Sequence, residues 1–185
     1  GGNTTVATGR LTLCCGATIS SSTFGVGDGG NMQLFAEDIE LIGVAPLTFS
    51  PSILAALTLD AGDAGSLTVN SQTLTLLGGG RIAASTGGSG AAGSVVVNAS
   101  EFVEVSGRVP GSVNPSLIDS SANIPDESLQ QLFGIPAFPR GASGDVTVRT
   151  PVLRVSDGAQ ISVRNDGSGN AGSLEVSAGS IELDN

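Results

Sequence analysis

Apolar residues along the chain repeat on two scales. Over short spans they alternate with polar ones at period two, the mark of strands with one buried face. Over longer spans these alternations return after a glycine: Gly30, Gly65, Gly93, Gly144 and Gly172 each precede apolar residues at the second and fourth following positions, and Gly2 does so more weakly. The intervals 2–30, 65–93 and 144–172 are each 28 residues, whereas 30–65 is 35 and 93–144 is 51, which reads as 28 plus insertions of 7 and 23. Three columns emerge. The first strand of each unit contributes Met32/Leu34, Leu67/Val69, Val95/Val97, Val146/Val148 and Leu174/Val176. The second contributes Leu11/Leu13, Ile39/Leu41, Leu74/Leu76, Val103/Val105, Leu153/Val155 and Ile181/Leu183. Counting eleven residues back from the next glycine gives a third: Ile19, Leu54, Ile82, Phe133 and Ile161.

Three inward apolar rows per unit predict one turn of a three-sided coil, an all-β, right-handed parallel β-helix of about six turns. The hand follows from the preference of parallel crossover connections. At about 4.8 Å per turn the stack would stand roughly 29 Å tall. No unit can bury its face alone, so residues 1–185 are expected to form a single domain whose core exists only in the stack. The insertions are placed at residues 44–52 and 108–131, both between the second and third strands of a turn and so at one corner. Loops gathered on one side of a solenoid are a candidate binding surface. The second contains PDESLQQLF, a short helix signal in which Asp126 caps after Pro125 and Leu129 and Leu132 lie over the coil's flank.

Composition sharpens the picture. The 28 glycines suit corners that need positive φ or close backbone approach, and the absence of Trp and Tyr suits a narrow interior. With no His, few aromatic rings and a net charge of −10, the chain has neither the imidazole common in active sites nor the basic surface that nucleic acid requires. The second strand's outward column reads Thr12, Glu40, Thr75, Glu104, Arg154 and Glu182; the glutamates fall on alternate turns, about 10 Å apart where two turn spacings separate them, too far to share a proton or a metal. Glu40, Glu104, Arg154 and Glu182 are therefore read as a surface charge ladder, and no catalytic residue or cofactor is expected. Calcium in the aspartate and glycine turns is the one cofactor weighed, but Asp28 is replaced by Ala91 or Asn170 at equivalent sites. Cys14 and Cys15 are adjacent and suggest neither a long-loop disulfide nor a four-ligand metal site; unremarkable strand-end residues, a vicinal disulfide and a reactive thiol stay open. Exposed strand edges at the ends of a coil predict end-to-end self-association.

The runs GRLTLCCGATISSSTFGVGDGGNMQL, DAGSLTVNSQTLTLLGGGRIAAST and SGDVTVRTPVLRVSDGAQISVRNDGSGNAGSLEVSAGSIEL resemble the repeats of filamentous-haemagglutinin-like exoproteins, particularly the large cyanobacterial ones. The resemblance implies a passenger of two-partner secretion, carried by an outer-membrane transporter barrel to the outside or outer surface of a Gram-negative-type bacterium. It implies a structural shaft segment, excised from a longer passenger, of an adhesin that meets a receptor or glycan through its loops. Two alternatives come from other classes: a carbohydrate-active β-helix lyase or hydrolase, and a spacer with no ligand. No stretch resembles the family's amino-terminal secretion domain, and cysteines are unusual in such passengers.

Overall fold

The computed structural model describes residues 1–184. Its strands in chain order are β1 (Thr4–Cys14), β2 (Thr18–Thr23), β3 (Met32–Ile42), β4 (Ile53–Thr58), β5 (Leu67–Leu77), β6 (Arg81–Thr86), β7 (Val95–Ser106), β8 (Leu117–Ala122), β9 (Val146–Ser156), β10 (Gln160–Asn165) and β11 (Leu174–Leu183), with one helix, α1 (Glu127–Phe133), between β8 and β9. The long odd-numbered strands form one sheet in the order β1-β3-β5-β7-β9-β11, the short even-numbered ones a second in the order β2-β4-β6-β8-β10, and every pairing between them is parallel. This is a parallel β-helix of five long-plus-short turns followed by the long strand of a sixth.

The first two strands expected in each turn are one continuous strand. Within it the inward parity changes: Met32 and Leu34 are buried, then Ile39 and Leu41, five residues on from Leu34 rather than an even number. The chain turns its corner without leaving the hydrogen-bonded ladder. Small residues sit at that point, in register from Thr8 to Ala36 and from Ser71 to Ala99, and the hydroxyls of Thr8 and Thr150 donate to the carbonyls of Arg10 and Val152 two residues on. Leu34, Ile39, Leu41, Leu54, Leu67, Val69, Leu74, Leu76, Ile82, Val95, Val97, Val103, Val105, Val146, Val148 and Leu153 are buried in one continuous cluster. Leu11, Leu13, Ile19, Val155, Ile161 and Val176, nearer the two ends, are half-buried against it. Burying each such side chain contributes about 1.5–3 kcal/mol before chain entropy is charged.

Three expectations are corrected. Phe133 is not in the core: it is exposed on α1, and the third column runs Ile19, Leu54, Ile82, Ile118, Ile161 in unbroken register. Leu174, Ile181 and Leu183 are exposed because β11 is the edge of the described sheet and has no strand stacked on its far side. The 23 extra residues of the fourth turn also divide differently from the span 108–131. Seven lengthen the connection 107–116, one is a bulge in β7, and fifteen lengthen the connection 123–145. The expected insertion 44–52 lies in the connection 43–52.

The repeating glycine is explained by stacking. None of Gly65, Gly93, Gly144 and Gly172 has positive φ, but a Cβ on each would fall into the carbonyl of its counterpart one turn before, well inside the 3.0 Å that real Cβ atoms respect. The residue after it builds a ladder through the whole stack. The Asn31 amide donates to Asn3 Oδ1 (2.9 Å), that of Ser66 to Asn31 Oδ1 (2.9 Å), that of Ser94 to Ser66 Oγ (3.3 Å), that of Asp145 to Ser94 Oγ (3.2 Å) and that of Ser173 to Asp145 Oδ1 (2.7 Å). Positive φ belongs instead to the corner after each long strand, where Cys15, Gly43, Gly78, Gly107 and Asp157 have φ of 63°, 69°, 57°, 73° and 54°.

Candidate functional site

Corners after the long strands alternate between tight and long. Three residues suffice at 15–17, 78–80 and 157–159, and ten are used at 43–52 and 107–116. Both long loops close in one way: the Ser52 amide donates to the Gly43 carbonyl (3.0 Å) and the Ser116 amide to that of Gly107 (2.8 Å). The serine hydroxyls donate back to Ile42 and Ser106. The loops then meet across the tight corner between them. Asn114 Nδ2 donates to the Phe49 carbonyl at 3.1 Å, and a Cβ on Gly79 would press against Val44 and Asn114, so the third turn has no room for a side chain there.

On the other flank of the short-strand sheet, residues 123–145 fold back toward earlier turns. Pro125 sits over Gly87, and the ring of Phe133 stacks on Phe24 of the first turn with centroids 5.6 Å apart. Leu129 lines a cleft of about 290 Å³ with Phe24, Leu57 and Leu59, as the flank-covering expectation requires, whereas Leu132 is exposed. Asp126 precedes the helix but makes no side-chain cap.

Between the loop at 107–116 and residue Asn123, the outer face of the short-strand sheet forms the floor of a polar cleft of about 600 Å³. Its walls and floor include Arg81, Arg108, Asn114, Asp119, Asn123, Gln160, Ser162 and Arg164. Three of the chain's seven basic residues thus converge on one place in a protein of net charge −10. Register sets their arrangement. Asp119 pairs with Ala83 on the turn before and Ser162 on the turn after, so Arg81 and Arg164 lie diagonally on either side of it, two positions back and two forward.

Asp119 is the unusual member. Its column otherwise holds Ser20, Ala55, Ala83 and Ser162, and it is only 7% exposed. Oδ2 accepts the Ser121 hydroxyl at 2.7 Å, while Oδ1 is buried with no hydrogen-bond partner. Burial pushes the Asp119 carboxyl above its ordinary range, against the opposing pull of the Ser121 hydrogen bond and of the Arg81 and Arg164 charges. Arg81 is itself held below its usual value by burial. The arginines are oriented by neutral groups: Arg81 Nη2 donates to Asn114 Oδ1 (2.9 Å), and Arg164 Nη2 to Asn123 Oδ1 (2.6 Å), whose Nδ2 donates to Ser121. Arg164 also faces Asp166 at 3.3 Å. Neither Arg81 nor Arg108 has a carboxylate within 4.0 Å among the described residues.

The expected ladder is in register: Thr12, Glu40, Thr75, Glu104, Arg154 and Glu182 are successive partners. Arg154 Nε donates to Glu182 Oε2 at 2.8 Å, and Glu104 adds a weaker attraction from the other side. Arg154 and Glu182 are solvent-exposed and Glu104 is half-buried, so Arg154→Ala should lower the melting temperature by about 1–2 °C at low salt and by less at high salt. Arg154→Glu should lower it further, because three carboxylates would then stack on consecutive turns. Equal melting of the two variants at low salt would contradict the alignment. The turn aspartates engage backbone: Asp28 Oδ1 accepts the Asp63 amide (3.1 Å) and Asp63 Oδ1 that of Ala91 (2.7 Å). Cys14 and Cys15 are free, exposed thiols with sulfurs 2.8 Å apart, and their contact holds the Cys15 thiol above its usual range, the opposite of an activated thiolate.

Sequence reasoning missed the polar cleft. Counting back across the fourth turn put Phe133 where Ile118 stands and left Asp119 and Ser121 inside a supposed loop. With Ile118 in its column, Asp119 is the one charged residue in a row of serine and alanine, which was the available signal. Comparison of the chain with family models, curated proteins and solved structures returned no match.

Proposed function

We propose that this chain is a shaft segment of a secreted or cell-surface exoprotein, an adhesin that holds its ligand against the short-strand sheet between the loops. The carrying observation is that two ten-residue loops leave the same corner two turns apart and are tied by the Asn114–Phe49 hydrogen bond, while residues 123–145 rise on the opposite flank. A tolerated insertion has no need to recur with the same length, the same closing hydrogen bonds and a mutual contact. The coil supplies rigidity, since each turn is bonded to its neighbours along two sheets. The partners this reading entails are a surface receptor or glycan and, following the resemblance to two-partner passengers, a transporter barrel.

Shortening both loops to the Gly78–Gly80 form tests the reading. Each shortened loop copies a corner the coil already makes, so the far-ultraviolet circular dichroism should stay unchanged. Attachment to whole cells and to a glycan array should fall at least tenfold. Attachment undiminished by shortening, or an intact chain that attaches to nothing, would leave a spacer as the reading.

A further inference from the structure

The polar cleft carries more chemistry than a shaft requires. A buried carboxylate oxygen without a partner forfeits the hydrogen bonds it had in water, and hydroxyl or small residues fill the same column on the other turns at no such cost. Nearby, Arg81 and Arg108 bring two positive charges that no carboxylate neutralises within 4.0 Å among the described residues. A ligand that satisfies both must offer negative charge to the guanidinium groups and a hydrogen-bond donor to Asp119.

That pairing of demands is selective. A metal cation would complete the carboxylate but is repelled by Arg81, Arg108 and Arg164 around it. A bare inorganic anion would suit the arginines but has no hydrogen to give Asp119. A neutral sugar has the hydroxyls but leaves the guanidinium groups unused. An apolar side chain finds a lining of arginine, asparagine, glutamine and serine. Carboxylates and hydroxyls occur together on one scaffold in uronic acids, and guanidinium groups bind carboxylates in paired, charge-assisted hydrogen bonds. About 600 Å³ is within the usual size range of a ligand site.

We propose that this cleft binds an acidic saccharide, with Arg81 and Arg108 taking a uronate carboxylate and Asp119, its carboxyl turned to bring the now buried Oδ1 to the cleft, accepting a sugar hydroxyl. Asn114 fixes the Arg81 guanidinium through Nη2, and Asn123 with Ser121 fixes the far side of the site. The inference rests on the reading of this face as a ligand-holding surface and names the ligand class.

Isothermal titration of the intact chain with trigalacturonate, cellotriose and sodium sulfate tests it. Trigalacturonate should bind, and more weakly as salt rises; cellotriose and sulfate should not compete. Arg108→Gln alters an exposed loop side chain and should weaken trigalacturonate at least tenfold with the melting temperature unchanged. Asp119→Asn should weaken it about fivefold while raising the melting temperature, because the amide that replaces Oδ1 donates where the site must accept. A residue with a structural role alone would not lose binding as the fold gains stability. Sulfate or cellotriose binding as tightly as trigalacturonate, no binding of trigalacturonate at millimolar concentration, or full affinity in Asp119→Asn would each overturn the proposal. If trigalacturonate fails while loop-dependent attachment to cells persists, this ligand assignment falls and the adhesin reading stands; loss of both removes both.

Discussion

Gly93→Ala should lower stability by about 3 kcal/mol, a fall of about 6–12 °C in melting temperature for a domain of this size. Its φ is not left-handed, so the cost is not backbone conformation. The added methyl would occupy the space of the Gly65 carbonyl one turn before and crowd the Ser66 amide behind it. Neither neighbour is a flexible side-chain end that swings away. Relief requires the third and fourth turns to move apart, and that stretches the Ser94 amide to Ser66 Oγ bond and the Leu67 amide to Ser94 carbonyl bond beside it. Gly25→Ala is the matched control: a Cβ there meets nothing within 4 Å, and surface substitutions of this kind stay within about 0.5 kcal/mol. Thermal melts of the two variants against the parent decide it. Equal melting would mean that the repeating glycine is a turn preference and not a packing limit, and the stacked corner described above would be wrong.

That glycine column is why so much of the fold is legible in the sequence. Where a residue type is imposed by close approach of backbones, it recurs at every turn, and the 28-residue period can be measured directly between Gly65 and Gly93 or Gly144 and Gly172. Register in the long strands follows, because Leu67, Val69, Leu74 and Leu76 and their equivalents face a core that admits only apolar side chains. The short strands are less readable for a physical reason. Their inward row carries Ser21 and Ser120 as well as Leu54 and Ile82, and these hydroxyls are accepted there because they are satisfied: Ser21 Oγ donates to the Gly30 carbonyl, and Ser120 Oγ donates to that of Gly93 and accepts the Gly144 amide. A polar residue that is bonded inside the core erases the alternation that marks a strand. LIDSSA, with Ile118 its single large apolar inward residue, therefore passes for loop, and Phe133 takes its place in the count. The corner threonine is a further marker: Thr23, Thr58 and Thr86 each donate to the carbonyl four residues on, and Ala122 replaces them where the longest connection begins. The cleft was hidden by that same slip, since its floor residue belongs to the misplaced strand.

Asp119→Asn should make the protein more stable at neutral pH, by about 1–2 kcal/mol, and the gain should vanish in acid. In the parent, folding takes this carboxyl out of water and raises its proton affinity, with Arg81 and Arg164 recovering only part of the loss. Stability associated with Asp119 is therefore complete below the ordinary carboxylate pKa of about 4 and is lost as pH rises through the elevated folded value. Asparagine keeps the side-chain shape and an oxygen for the Ser121 hydroxyl but has no charge to desolvate, so its stability lacks that decline. Other carboxylates act in the opposite sense. Asp38, bonded to Arg10 and Thr73, and Asp145, bonded to the amide and hydroxyl of Ser173, are held below their usual range, and their contributions are lost as pH falls. They are present in both proteins and cancel in the difference. Melting curves of parent and variant from pH 3.5 to 8 should coincide at the acid end and separate with rising pH, the variant above. Parallel curves would mean that Asp119 is ionised at no cost, which its buried, unpartnered Oδ1 forbids unless a bound group already satisfies it. Adding trigalacturonate supplies that group: at neutral pH it should raise the parent's curve by more than the variant's, closing the gap by up to about 1 kcal/mol for a fivefold difference in affinity.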